Sequence, residues 1–265
     1  PEITERQYGT RKTYMLFDPC NTNKPGNRTI SCSQIQMRER SSITKKYKIN
    51  PLENALEVVC DMKSDGGGWT VIQRRTEYEV RNDDFEKEFV DYERGFTTKA
   101  GGALWIGLEV LHALTSIPNN QQVLRIELTR KAGQEPIVVH YNKFHVGSKK
   151  ERYKLTIGDY HGPPGYDALS YHNGAEFSIK KSMTISPDHD KCSARLSGGW
   201  WFKKCNKANL NGRKFKSPSP IRALGITWHI EDKPESYKYI YDRVEIKIRD
   251  KDFGFCTGAL KFKIL

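Results

Sequence analysis

Several features that mark common protein classes are missing from this sequence. No apolar stretch approaches the roughly 20 residues that a membrane-spanning helix needs, so we expect no membrane insertion. The cysteines include no Cys-x-x-Cys pair, which is the spacing that zinc fingers use. No heptad repeat is visible, and the first residues hold no apolar signal region, so we expect a mature chain or an excised piece.

The common catalytic motifs are missing as well. The chain has no Gly-x-Ser-x-Gly, no His-Glu-x-x-His and no phosphate-binding loop. Its seven histidines show no metal-ligand spacing. If the six cysteines all form disulfides, no thiol nucleophile remains. We therefore predict that the protein is not an enzyme.

What the chain contains is a foldable composition with an excess of positive charge. Its 265 residues lie at the upper end of what one domain holds. A hydrophobic content of 37% with 11% aromatic residues excludes wholesale disorder. There are 44 Lys and Arg against 32 Asp and Glu, which gives a formal net charge of +12.

The cysteines and one tripeptide indicate the extracellular space. An even number of scattered cysteines favours disulfides, which persist in oxidising compartments, although the sequence alone leaves their pairing open. Asn27-Arg28-Thr29 is an acceptor for N-glycosylation, typical of secreted proteins. We predict a secreted, disulfide-bonded glycoprotein with Asn27 as the glycosylation site.

Patterning along the chain predicts a mixed α and β domain after an irregular, polar lead-in at 1–30. Strands are predicted at Ala55–Cys60, Val71–Gln73, Val123–Leu128, Ile137–Tyr141 and Tyr241–Arg249. Short helices are predicted from Asp83 to Tyr92 and from Leu104 to Leu114. After about Gly158 the sequence becomes rich in Gly, Pro, Asn and Tyr, which predicts a loop-rich lobe.

Ordered segments of the chain resemble the signature of fibrinogen-related domains. They are Val59-Cys60-Asp61-Met62, Gly66-Gly67-Gly68-Trp69-Thr70-Val71, Leu104-Trp105-Ile106-Gly107-Leu108, and Gly198-Gly199-Trp200-Trp201-Phe202 followed by Cys205 and Asn209-Leu210-Asn211-Gly212. Tyr153–Gly158 and Tyr171–Gly174 resemble the tenascin branch, and Leu196–Phe202 resembles the angiopoietins. Three glycines before a tryptophan permit positive φ and close backbone approach, so we expect the tryptophans to pack in the core.

The resemblance implies an α+β fold, a fibrinogen-like globular domain over 31–265. It divides into an N-terminal disulfide subdomain at about 31–70, a central, mainly antiparallel sheet at 71–155 plus 239–250, and a loop-rich binding lobe at 156–238.

The resemblance also implies disulfides Cys32–Cys60 and Cys192–Cys205. Two cysteines then remain, and we predict the pair Cys20–Cys256, which would tie the lead-in to the C-terminal tail.

Two ligand sites are implied by the resemblance, and this sequence departs from both patterns. The calcium-binding segment before the third signature cysteine retains Asp188 and Asp190, but Ser186 stands where the family has its first aspartate. Closely spaced carboxylates suit Ca²⁺, and solvated loop carboxylates are the alternative. The pocket that binds acetyl groups has Asn206 where the family has histidine, and Leu196 where it often has tyrosine.

Positive charge is concentrated in the lobe. Between 191 and 230 there is no acidic residue and there are nine basic ones, which predicts a positive binding surface. The ligand-binding residues that we predict are Lys203, Lys204, Asn206, Lys207, Arg213, Arg222, Tyr237 and Tyr239.

The function predicted from these features is non-catalytic extracellular recognition, as a matrix or signalling ligand that binds a receptor or an acidic or sulfated glycan through the basic lobe. One alternative is an innate-immune lectin that binds acetylated sugars with calcium. Another is a structural assembly module, with homo-oligomers formed through a region outside this chain. Nucleic acid is not an expected partner of an extracellular protein.

Overall fold

A computed structural model describes residues 2–7, 10–15, 29–52, 55–99, 102–118, 120–180, 196–204, 206–219 and 221–257. The elements before the central helices are β1 (Glu2–Gln7), β2 (Thr10–Met15), α1 (Cys32–Glu39), β3 (Lys45–Ile49), β4 (Leu56–Asp61) and β5 (Trp69–Arg75). They are followed by α2 (Phe89–Arg94), β6 (Phe96–Thr97), β7 (Leu104–Trp105), α3 (Leu108–Thr115), β8 (Gln122–Thr129) and β9 (Ile137–Val146). The remaining elements are β10 (Leu155–His161), β11 (Ser178–Lys180), β12 (Gly198–Trp200), β13 (Ala208–Asn209), β14 (Thr227–Trp228), β15 (Arg243–Asp250) and α4 (Phe253–Cys256).

A nine-stranded antiparallel sheet forms the centre of the molecule. Its main path is β10-β9-β8-β15-β5-β4-β3, and the short pair β6 and β7 attaches to β5. The late strand β15 lies between β8 and β5, with Ile246 opposite Ile126 on one side and Gln73 on the other. The prediction that a C-terminal strand returns to the sheet is therefore confirmed, and the chain closes on itself through long-range pairing.

Alternating side chains place one face of this sheet in the core. Leu124, Ile126 and Leu128 of β8 are buried, as are Val244 and the other even-numbered apolar residues of β15. Helix α3 covers part of this face. Its Leu108, Leu111 and Leu114 recur every three residues, which is the spacing of one helix face, and all three are buried.

The predicted disulfide Cys32–Cys60 is present, with its two Cα atoms 5.5 Å apart. It joins the first residue of α1 to β4, and the Ser31 hydroxyl accepts the Gln34 amide as the N-terminal cap of this helix. The glycine turn that precedes β5 behaves as expected, since Gly67 has φ +80° and a Cβ there would lie 2.6 Å from the Met62 carbonyl oxygen.

Three sequence predictions are wrong. The first helix begins at Phe89 rather than at Asp83, because the Glu88 and Asp91 side chains form a capping box there while Asp83 binds Arg81. Leu104–Trp105 is a strand paired with β5, and the helix begins only at Leu108.

The third error concerns the lead-in at 1–30, which was expected to be irregular. Its described part contains the hairpin of β1 and β2, with Glu5 opposite Lys12 and Ile3 opposite Tyr14. The polar composition of this segment gives no apolar alternation from which two strands could be predicted. The division of the chain into three subdomains stays a prediction.

Candidate functional site

Buried tryptophans build the framework of the lobe. Trp200, Trp201 and Trp228 are at most 3% exposed. The indole N–H of Trp201 donates to the Tyr153 carbonyl at 2.7 Å, and that of Trp228 donates to the Tyr166 carbonyl at 2.9 Å. Large rings can form a core where regular structure is sparse, so the predicted packing role is confirmed for Trp200 and Trp201, and Trp228 shares it.

The buried His172 fixes the loop after Trp201, which carries the predicted basic residues Lys203, Lys204 and Lys207. His172 Nε2 accepts the amides of Lys207 and Ala208 at 3.2 and 2.9 Å, so its Nδ1 carries the hydrogen and donates to the Trp201 carbonyl at 2.7 Å. Burial lowers the pKa of His172 to about 4, which keeps the ring neutral at physiological pH. Both ends of the loop are thus tied to one side chain.

Two lysines on this loop approach one aromatic ring. The ammonium groups of Lys203 and Lys207 lie 5.7 and 5.3 Å from the centre of the Tyr171 ring. Lys203 also donates to the Asn173 carbonyl at 2.7 Å. Because ring faces attract cations, Tyr171 holds both ammonium groups near the surface of the lobe.

A second cationic group adjoins the first. The Arg222 guanidinium lies 3.8 Å from the centre of the Tyr237 ring, whose ring stacks on His229 at 4.7 Å. The His229 amide donates to the Lys207 carbonyl at 2.7 Å, which connects the two groups. Burial, with the charges of Lys207 and Arg222, lowers the pKa of His229 and favours its neutral form.

These contacts define what we call the Tyr171–Tyr237 surface. It consists of Tyr171, Lys203, Lys207, Arg222, His229 and Tyr237. Tyr171 and His229 were not among the predicted site residues. The segment Tyr171–Gly174 resembles the tenascin branch, so Tyr171 has a signal in the sequence. His229 had none beyond its place beside a tryptophan.

The other predicted ligand residues lie elsewhere or beneath this surface. Asn206 is buried, and its side-chain oxygen accepts the Lys203 amide at 3.0 Å, so it supports the loop. Arg213 forms an ion pair with Glu86. Tyr239 stacks under Arg130 at 3.7 Å. Lys204 is exposed on the same loop as Lys203.

The basic residues of 196–230 that the structure describes therefore do not form one surface. Lys214 is buried and donates to the Tyr241 and Asp242 carbonyls at 2.6 and 2.5 Å. Burial lowers its pKa to about 8. Lys216 lies in a different cleft, beside Arg130 and Lys131.

Several predicted residues lie outside the described residues. They are Asn27, Cys20, Asp188, Asp190, Cys192 and Cys205, so the calcium ligands and two disulfide pairings stay predictions. Cys256 is disulfide-bonded. Over the described ranges, no group of three or more His, Cys, Asp or Glu residues is arranged to hold a metal ion.

Comparison with known proteins identifies the family. The family model described as fibrinogen beta and gamma chains, C-terminal globular domain, matches residues 29–251. The chain belongs to the fibrinogen C-terminal domain family. The fold and family that the sequence signature predicted are thus confirmed.

The fibrinogen-like chain has relatives in three groups of proteins. It is 36% identical to ryncolin-4 of Cerberus rynchops over 88% of its length and 64% of that protein. It is 37% identical to tenascin-R of Gallus gallus over 78% of its length and 14% of that protein. It is 34% identical to human angiopoietin-related protein 7 over 88% of its length and 65% of that protein. The chain thus spans under two thirds of these relatives.

Solved fibrinogen-like domains share the fold. The globe domain of human ANGPTL2 has a TM-score of 0.69 at 27% identity, covering 84% of this chain and 99% of that one. The globe domain of human ANGPTL6 has a TM-score of 0.68 at 27% identity, covering 84% and 97%. These groups of relatives are extracellular recognition modules without enzymatic activity. None of the helices in the described ranges is long and apolar enough to cross a bilayer.

Proposed function

We propose that this fibrinogen-like domain is a secreted, non-catalytic recognition module that binds a receptor or an anionic glycan through the Tyr171–Tyr237 surface. The arrangement of Lys203, Lys207 and Arg222 over two tyrosine rings supports this proposal most directly. Charge-assisted hydrogen bonds from lysine and arginine suit sulfate and carboxylate groups.

The loop is shaped before a ligand arrives. His172 ties Trp201, Lys207 and Ala208 together through three hydrogen bonds of 2.7 to 3.2 Å. A cationic group that is already positioned loses little conformational entropy on binding. The neutral His229 adds no charge of its own near pH 7, so the three cations set the field of the surface.

A glycan array with sulfated chains and acetylated sugars, read with calcium and with chelator, tests the ligand class. We expect salt-sensitive binding to sulfated chains that persists in chelator. Calcium-dependent binding to acetylated sugars alone would instead favour the lectin alternative.

Charge reversal tests the surface itself. The triple variant Lys203→Glu, Lys207→Glu and Arg222→Glu should lose at least about tenfold in affinity, with a flatter salt dependence. The matched control reverses Lys48, Lys150 and Lys251, which are exposed elsewhere and give the same change in net charge. Equal losses in the two triples would assign binding to net charge and overturn the assignment of this surface.

A further inference from the structure

The loop after β5 presents the two most exposed large apolar side chains in the described part of the chain. Tyr78 is 68% exposed and Val80 is 73% exposed. Glu79, which lies between them in sequence, is only 2% exposed. The backbone therefore turns one side chain inward and its two neighbours outward, which leaves an apolar tip in solvent.

A buried ion pair holds this loop at its base. Arg75 donates from Nε to both Glu79 oxygens at 3.1 Å and from Nη2 at 2.8 Å, and both side chains are fully buried. The Thr76 amide donates to the same carboxylate at 2.8 Å. Arg75 Nη1 also donates to the Leu210 and Gly212 carbonyls at 3.1 and 2.6 Å, which anchors the loop to the lobe. The base of the loop is thus fixed before any partner arrives.

Two clefts beside the tip share one lysine. Val80, Phe215 and Lys216 line a cleft of about 530 Å³. Lys216 also lines a second cleft of about 440 Å³ with Arg130 and Lys131. An apolar tip is therefore continuous with a rim of basic side chains.

The described residues that line the cleft of this rim include three cations, Arg130, Lys131 and Lys216, and one carboxylate, Asp242. Elsewhere around the tip the cations are paired, as in Arg81 with Asp83 at 3.1 Å and Arg243 with Glu77 at 3.0 Å. Among the described residues, no carboxylate forms an ion pair with Lys131 or Lys216. The rim therefore carries net positive charge that a partner can complement.

We propose that Tyr78, Val80 and Phe215, with Lys216, Arg130 and Lys131, form a docking surface for an acidic segment of a partner protein that carries a large apolar side chain. Tyrosine is a frequent anchor of protein interfaces, and carboxylates beside the anchor would satisfy the lysines. A sulfated glycan would match the cations but would leave the apolar tip in water. This surface shares no residue with the Tyr171–Tyr237 surface, although Phe215 and Tyr237 line one cavity, and the proposal does not rest on the assignment of that other surface.

The probe is a fluorescein-labelled acidic dodecapeptide of Asp and Glu around a central Phe-Leu pair, measured by anisotropy. The comparison probes are the same peptide with Ser-Ser at its centre and a heparin dodecasaccharide. We expect the Phe-Leu peptide to bind more tightly than the Ser-Ser peptide. The variant Tyr78→Ser with Val80→Ser should lose about tenfold in affinity, and Lys216→Glu should lose several-fold with a flatter salt dependence.

The matched control is Val90→Ser with Lys150→Glu, an exposed apolar residue and an exposed lysine away from the tip, which should leave peptide affinity unchanged. Unfolding curves establish that the exposed variants remain folded. Equal binding of the two peptides, or unchanged affinity in the Tyr78 and Val80 variant, would overturn the proposal. Heparin binding that Lys216→Glu abolishes, without peptide binding, would assign the rim to a glycan and overturn it as well.

Discussion

The ammonium of Lys247 lies 2.7 Å from the carboxylate of Asp61, and both groups are buried although 186 positions separate them in the sequence. Lys247 also reaches Glu127 at 2.9 Å and Glu245 at 2.8 Å. One cation in β15 is thus surrounded by carboxylates from β4, from β8 and from its own strand. This cluster ties the returning C-terminal strand to the N-terminal part of the sheet.

Removing the Lys247 cation should lower the stability of the fold. Lys247→Met would leave three carboxylates close together with no ammonium between them, and we expect a loss of about 3–5 kcal/mol in the free energy of unfolding. Urea denaturation at pH 7 measures it. Lys251→Met, at an exposed position just after β15, is the control and should change stability little. A loss below about 1 kcal/mol in Lys247→Met would contradict the role of this cluster.

The position of β15 was predictable because Val244, Ile246 and Ile248 alternate with polar residues, and alternation encodes a half-buried strand. Cys32–Cys60 and the buried tryptophans followed from the family signature. The strand at Leu104–Trp105 could not be predicted, because a short apolar run fits a helix or a strand until its pairing partner is known. In the fold that partner is Gln73–Arg74 of β5.

The candidate site was predictable only in part. A run of basic residues reveals charge but not where each side chain ends, so Lys214 could not be separated from Lys207 by sequence. In the fold, one is buried against backbone carbonyls and the other lies over Tyr171. The same is true of the two arginines. Arg222 lies over Tyr237 and Arg213 pairs with Glu86, and such contacts between separate segments leave no local pattern in the sequence.

The stability of the domain should depend on pH through His172. Its folded pKa of about 4 is below the usual value of 6.5, so the unfolded chain binds the proton more readily. The contribution is complete above pH 6.5 and is lost as the pH falls toward 4. From pH 7.5 to 4.5 we expect His172 to account for a loss of roughly 2–3 kcal/mol.

Denaturant unfolding at several pH values tests this dependence. His172→Asn should be less stable than the parent at pH 7.5, and its stability should fall less steeply between pH 6.5 and 4.5. The control is His161→Asn at an exposed position, which should keep the parent slope. If His172→Asn shows the same slope as the parent, another group is responsible.

The buried ion pair of Arg75 and Glu79, at the base of the loop that holds Tyr78, should contribute to the stability of the fold through its charges. Glu79→Gln keeps the shape of the side chain but leaves the Arg75 guanidinium buried without a counter-ion, and we expect a loss of about 3 kcal/mol. Arg81→Gln removes a solvent-exposed pair with Asp83 nearby and should cause no measurable change. Thermal or urea unfolding compares the two, and equal effects would show that burial of the pair does not matter.

Gly198, the first of the two glycines before Trp200, should be required by space as well as by conformation. Gly198 has φ +73°, and a Cβ there would collide with the carbonyl oxygen of Asn211, which belongs to the backbone and cannot move aside easily. Gly133 has φ +83° with no atom within 4 Å of such a Cβ, so Gly133→Ala isolates the conformational cost of about 1–2 kcal/mol. We expect Gly198→Ala to lose about 4 kcal/mol or more, because strain and steric overlap act together. Similar unfolding free energies for the two variants would mean that the backbone shifts to accept the methyl group. The close packing of β12 against the segment that holds Asn211 would then not be a requirement of the fold.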